Sequence, residues 1–246
     1  MTPLVPPQAP PPAVGDRATQ DTHPPPRFAE LAREEGLFAA LLALHRAATL
    51  GVLPAGPGGY LLVPAGLAES DTHFGTPAGP RPRAAARGER LGRVRSGPRR
   101  ADGQLVALRI DGAGPAPGAE GAAWAAGLLA VRLGVADAVL HGATGRLRDR
   151  TVRQGPDTVS LLSLPMVRGL VGEAAAALAE ARALAAVDAQ PHAVRRAHRA
   201  LDECGRTCLH LYGAHGFLTE GPGSTVRASE LLADVYSPAD TAPKEP

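Results

Sequence analysis

The feature that most constrains this chain is a pair of long helical repeats between Pro165 and Tyr212, separated by a single break. Val167, Leu170, Val171, Ala174, Leu178, Ala181 and Leu184 recur at intervals of three and four residues, with Arg168, Glu173, Glu180 and Arg182 mostly off that stripe. Much of the segment is alanine, which favours the helix and lets a neighbour approach closely. Ser163 is expected to cap this helix, and Pro165 falls in its first turn, where a missing N–H costs nothing. The pattern stops near Asp188–Gln190. Pro191 then opens a second helix with the stripe Val194, Ala197, Leu201, Cys204, Cys208 and Leu211, ended by Gly213. A turn-rich linker leads to a third helix, Thr225 to Tyr236. Upstream, Trp124, Leu128, Val131, Val135 and Val139 mark a fourth over about Glu120–Arg148, with Trp124 as a core residue. The expected fold is mainly α: a C-terminal antiparallel helical bundle, a short β or irregular middle region and an N-terminal helix.

The divisions that follow are a disordered Pro-rich extension over 1–26, an N-terminal helix and turn over 27–58, a short β or irregular region over 59–118, the bundle over 119–237 and a disordered tail over 238–246. Arg27 to Leu50 reads as one helix, with Phe28, Leu31, Phe38, Leu41 and Leu42 on one side and His45 as a surface or satisfied residue. Tyr60–Pro64 reads as a short buried strand, and 91–94 and 105–110 as further strands. Eight arginines and one acid, Glu89, lie between Arg81 and Arg100. No aromatic is interleaved for stacking, so this segment is expected to be exposed and without long regular elements, and nucleic acid is not an expected partner.

Of 26 basic residues only Lys244 is lysine, and the formal net charge is +2, so charge favours no particular partner. Two cysteines in 246 residues suit a reducing compartment. Cys204 and Cys208 read as small buried side chains rather than metal ligands, and no metal site is expected from the scattered histidines. The N-terminal segment has no apolar core of a signal peptide, and no window reads as a membrane span. The expectation is a cytoplasmic protein with no membrane partner.

The segment His210-Leu211-Tyr212-Gly213-Ala214-His215-Gly216-Phe217-Leu218-Thr219-Glu220 resembles the Gln-x-x-Gly-Gly-x-Gly-Phe/Tyr-x-x-Glu signature of the acyl-CoA dehydrogenases, flavoproteins that desaturate acyl thioesters. Arg227 falls where that family keeps an arginine on its last helix. Gly134 and, sixteen residues on, Arg150 resemble the family's Gly-helix-Glu-Arg-x-x-Phe-Gly run; Glu173 and Arg182 keep its spacing on the next helix. The resemblance covers about residues 120 to 236. It implies FAD as cofactor, with Arg150, His210, Gly213, Ala214 and Gly216 at the cofactor positions across a subunit interface, and an acyl thioester as substrate. It also implies oligomerisation, with itself or another chain, through the C-terminal helices.

The departures fall on the chemistry. The family's glutamate base after the last helix aligns with Tyr236, a poor base at neutral pH. Glu120 is the acid nearest the alternative base position on the first bundle helix. Arg153-Gln154 replaces Phe-Gly, Pro165 a flavin-contacting Gln, and Ala214 the second motif glycine; no Trp-x-Thr/Ser-Asn-like flavin motif is present. Three readings follow: a dehydrogenase needing a partner chain to hold FAD, a non-catalytic partner subunit, or a flavin-free enzyme reusing the fold.

Overall fold

The computed structural model describes residues 25–49, 51–97, 103–187, 190–218 and 221–237. Of the ends expected to be disordered, 1–26 and 238–246, residues 1–24 and 238–246 lie outside the described residues, while Pro25 and Pro26 belong to the first helix. Two helices open the described chain, α1 (Pro25–Glu34) and α2 (Leu37–Ala48), where the periodicity predicts one. The reason is Gly36, whose φ of 94° takes the backbone into a region that breaks a helix.

The middle is more regular than its composition suggests. β1 (Val52–Leu53), β2 (Tyr60–Pro64), the short α3 (Ala65–Ser70), β3 (His73–Phe74), β4 (Arg81–Pro82), β5 (Gly88–Arg95) and β6 (Gln104–Ile110) follow in order. β2, β6 and β5 form an antiparallel sheet with β6 at its centre. The period-two alternation sorts its side chains: Leu62, Leu105 and Ala107 face the helices, while Leu61, Val63, Val106, Leu108 and Ile110 join Leu53 and Phe74 in a second small core. β1, β3 and β4 make a second, minimal sheet. The arginine-rich segment, of which 98–100 lie outside the described residues, is therefore corrected over 81–97: most of it is exposed, but 88–95 is an eight-residue strand. Its hydrogen bonds run along the backbone to β6, so the polar side chains do not prevent it.

The bundle follows. α4 (Gly118–Asp149) leads into a hairpin of β7 (Thr151–Gln154) and β8 (Asp157–Ser160), then α5 (Pro165–Ala186), α6 (Pro191–Tyr212), a 3-10 bend over Gly213–Phe217 and α7 (Gly223–Tyr236). Four cross-links give the directions. Arg182 pairs with Asp137 at 2.7 Å and Arg196 with Glu180, so α5 runs against α4 and α6. Arg206 pairs with Glu230 at 2.9 Å and Ser229 meets Arg132, so α7 also runs against both. The antiparallel bundle is as expected. Ser163, by contrast, does not cap α5: its hydroxyl donates to the Ser160 carbonyl at 2.6 Å, and Leu164 occupies the cap position.

α4 is long and apolar enough to cross a membrane, against the sequence expectation that no window is. Its apolarity has a use inside the fold, because 61% of its most apolar window is buried, against α1, α2, α5, α6 and α7. Cys204 and Cys208 are free and buried in the main core. α1 and α4 approach closely at Gly134, where a Cβ would lie 2.0 Å from the Ala29 carbonyl oxygen on α1 and 2.8 Å from the Ala32 Cβ. Gly134→Ala is expected to push α1 off α4 and cost about 1–3 kcal/mol in urea unfolding. An unchanged midpoint would mean that α1 is not held at this contact.

Candidate functional site

The start of α4 and the end of α7 meet at one end of the bundle, and a cavity of about 600 Å³ opens there. Its walls come from separate segments: Ala48 and Thr49 at the end of α2, Pro54, Ala55 and Pro57 in the β1–β2 turn, Gly75, Thr76 and Pro80 between β3 and β4, Glu120, Gly121 and Trp124 on α4, then Pro191 and Tyr236. Small and ring-locked residues keep this space open. At Gly121 the backbone passes so near the Ala116 carbonyl that a Cβ would stand 2.1 Å from its oxygen. The lining is mostly apolar, and Glu120 is its carboxylate among the described residues. That size and character suit an organic group rather than an ion.

Three aromatic rings stand together at this end. Trp124 lies edge-on to His45 with centroids 4.7 Å apart and edge-on to Tyr236 at 5.3 Å. Their polar atoms fare differently. The Tyr236 hydroxyl accepts from the Leu62 N–H at 3.1 Å and lies 3.3 Å from the carbonyls of Pro54 and Leu62, either of which can take its proton. Burial pushes the Tyr236 phenol up, so it holds that proton and ties α7 to the sheet rather than acting as a base. His45 corrects the sequence expectation: it is buried, and among the described residues both ring nitrogens lack a hydrogen-bond partner, as does Trp124 Nε1. Burial lowers its pKa to about 3, so it is neutral at pH 7.

At the opposite end, Ala143, Leu147 and Leu211 pack with Leu161, Leu162, Val167 and Leu170, bringing together the ends of α4 and α6 and the start of α5. Arg150, His210, Gly213 and Ala214 are exposed there. Gly213 has φ 59° and nothing within 4 Å of where a Cβ would stand, so its backbone is open to an approaching group. Gly216 is small for an internal reason: a Cβ would come within 3.1 Å of the Leu209 oxygen and the Tyr212 Cβ. Phe217 and Leu218 stand exposed beside the bend at 70% and 57%. The sequence-predicted site residues therefore divide. Glu120 and Tyr236 share the cavity, while Arg150 lies about 45 Å away along α4 at its rise per residue, and His210, Gly213, Ala214 and Gly216 flank Tyr212, which packs beside Val139 and Gly142 of α4, about 30 Å from Glu120.

An exposed guanidinium at Arg150 and open backbone at Gly213 fit the phosphate portion of a dinucleotide. These exposed positions do not enclose a ring system. Among the described residues no group of three or more His, Cys, Asp and Glu is gathered to hold a metal. The middle of the bundle holds a group that sequence reasoning missed. Arg132, 1% exposed, donates through Nε to Ser229 Oγ at 3.0 Å, through Nη1 to His198 Nδ1 at 2.7 Å and through Nη2 to the Asp202 carboxylate. Its only sequence signal is one arginine inside an apolar helical period.

No family model and no curated protein matches the chain. Solved structures do. A variant of the Tcur3481-Tcur3483 steroid ACAD matches with a TM-score of 0.51 at 19% identity, covering 73% of this chain and 58% of that one. The acyl-CoA dehydrogenase from Slackia heliotrinireducens also matches with a TM-score of 0.51, at 14% identity, covering 85% of this chain and 68% of that one. The mainly α architecture is thus that of the acyl-CoA dehydrogenases, and the chain spans 58% of the length of the first of these structures.

Proposed function

We propose that this chain is an acyl-CoA dehydrogenase-like subunit of an oxidoreductase, acting on an acyl thioester together with a partner chain. The observation that carries this reading is the apolar cavity of about 600 Å³ between the start of α4 and the end of α7, in a fold similar to those enzymes. The acyl group occupies the cavity, where the proline, glycine and alanine walls exclude water from it. Glu120 is the carboxylate placed to take a proton from the thioester's α-carbon, since Tyr236 is protonated and engaged by Leu62. FAD, when bound, supplies the hydride acceptor. Arg150 lies about 45 Å from this cavity along α4, further than one FAD reaches, so Arg150 and the backbone at Gly213 would hold the phosphates of the flavin that serves the partner's cavity, and the partner would hold the flavin beside this one. The similarity to the Tcur3481-Tcur3483 steroid ACAD supports a heteromer.

A second reading, a non-catalytic partner subunit, draws on the same Tyr236: the end of the last helix is a strut rather than a base. The two readings part at Glu120. Glu120→Gln, coexpressed with an acyl-CoA dehydrogenase-like partner, is expected to lower acyl-CoA oxidation by about 10²-fold or more without changing assembly or flavin content. Light scattering on the eluted complex and flavin fluorescence after denaturation measure the last two. An unchanged rate would leave the non-catalytic reading. A chain that alone holds stoichiometric FAD and oxidises acyl-CoA would overturn the need for a partner.

A further inference from the structure

The wall of the apolar cavity contains polar atoms that the fold leaves idle. Its side-chain hydroxyls are all engaged: Thr49 donates to the His45 carbonyl at 2.8 Å, Thr76 to the Gly79 carbonyl at 2.7 Å, and Tyr236 is held by the Leu62 N–H. Trp124 and His45 differ. Trp124 lines the cavity and is 7% exposed; His45, 2% exposed, stands against it, one turn before the cavity-lining Ala48 and Thr49. Among the described residues the indole Nε1 and both imidazole nitrogens make no hydrogen bond. Buried polar atoms are costly when nothing meets them, so three in one contact pair beside a cavity point to a group that arrives from outside.

The chemistry of these atoms defines that group. The indole Nε1 only donates, and the neutral imidazole offers one donor and one acceptor. Two donors and one acceptor are the complement of a hydroxyl, whose oxygen accepts twice and whose proton is given once. A ketone would leave the imidazole acceptor idle, and a charged group would need compensation that apolar walls do not supply. The indole N–H forms no bond that a turn of its ring would break, whereas the Tyr236 hydroxyl beside it is tied to the sheet. A ligand moving along the wall can therefore turn the Trp124 ring and uncover the imidazole against it. Glu120 and Trp124, four residues apart, share one face of α4 and lie about 6 Å apart along it.

We propose that His45 and Trp124 form a hydroxyl-recognition point in the cavity wall, so that the preferred ligand is an apolar body carrying one hydroxyl about one helix turn from Glu120. The inference rests on the reading of the cavity given above. It adds a selectivity within that space: the cavity prefers a hydroxylated body over the plain hydrocarbon of the same shape, because only the former meets the atoms that the fold leaves open.

The test uses N-acetylcysteamine thioesters of decanoic acid and of its 3-hydroxy, 7-hydroxy and 7-oxo forms, which are uncharged and differ only at the oxygen. In an extended chain the 7-position lies about one helix turn from the α-carbon. Calorimetric titration of the full chain at pH 7 is expected to show the 7-hydroxy form binding about tenfold or more tightly than the unsubstituted one, with the 3-hydroxy form gaining nothing and the 7-oxo form gaining less. In His45→Leu the advantage should fall to within about twofold while the unsubstituted thioester binds as in the parent. His45→Gln, whose amide again supplies a donor and an acceptor, should restore part of it. Urea unfolding checks that both variants are folded. Equal affinities for the 7-hydroxy and unsubstituted forms, an equal gain for the 7-oxo or 3-hydroxy form, an advantage that survives His45→Leu, or a loss that His45→Gln leaves unchanged would each overturn the hydroxyl-recognition point and leave the cavity reading standing. Failure of every thioester to bind would overturn the cavity reading and this inference together.

Discussion

Arg132→Ala is expected to destabilise the fold by about 3–5 kcal/mol, the usual cost of removing one partner from a buried ion pair. Arg132 is the largest fully buried side chain among the described residues, and its guanidinium links three helices: it is carried by α4 and bonds His198 and Asp202 on α6 and Ser229 on α7. Alanine leaves a void and also strands the Asp202 carboxylate, which burial already pushes up even beside the guanidinium. Urea unfolding measures the loss. A control separates charge from packing: Arg132→Met with Asp202→Leu removes both charges and fills similar space, and should recover most of the stability, because an apolar replacement of the whole pair is often neutral. A loss under about 1 kcal/mol for Arg132→Ala would show that the network contributes little.

That network marks where reading the sequence ran out. The four bundle helices are legible because their apolar residues repeat every three to four positions and because Pro165, Pro191 and Gly213 punctuate them at the observed ends. One arginine among Leu128, Val131 and Val135 looks like the polar face of the same helix; only the approach of α6 and α7 encloses it. The β7–β8 hairpin escaped for the opposite reason. Its residues are polar and mostly exposed, so there is no alternation to read, and Gly155 with φ 64° supplies a turn that Gly-Pro-Asp alone announces weakly. In the N-terminal segment, Gly36 was visible but its left-handed conformation was not.

The site was legible in pieces. Glu120 is the acid nearest the base position that the family resemblance implies on the first bundle helix, and the structure places it on a cavity wall. The cavity has no local signature, because the prolines and alanines that line it come from separate segments and each reads as an ordinary turn. The separation of Glu120 and Tyr236 from Arg150 and Gly213 follows from the length of α4, which the periodicity predicts. What the sequence does not supply is the state of each side chain: Tyr236 engaged by Leu62, Gly216 packed on its own helix, Gly213 open.

The second large effect is a steep loss of stability in mild acid, driven by two buried histidines. Burial lowers the pKa of His45 to about 3; burial, with the adjacent Arg132 guanidinium, lowers that of His198 to about 3. The unfolded chain takes up these protons below about pH 6.5, whereas the folded chain resists them until about pH 3. Stability from each histidine is therefore complete above about pH 6.5 and declines as pH falls through that window, by about 1.4 kcal/mol per pH unit. Two such groups acting together remove about 2.7 kcal/mol per unit, enough to unfold a domain of ordinary stability near pH 4. Asp202 works in the opposite sense, since its raised pKa favours the folded state as carboxylates protonate, so the parent slope alone does not isolate the histidines. His45→Leu does. It leaves the Arg132 network in place, deletes two ring nitrogens that have no partner, and should raise stability at pH 7 by about 1–2 kcal/mol while roughly halving the acid slope. Urea midpoints at intervals between pH 7 and 4 measure both. A variant whose slope matches the parent's would show that His45 takes up its proton in the folded state, and that the space beside Trp124 is wetter than its burial implies.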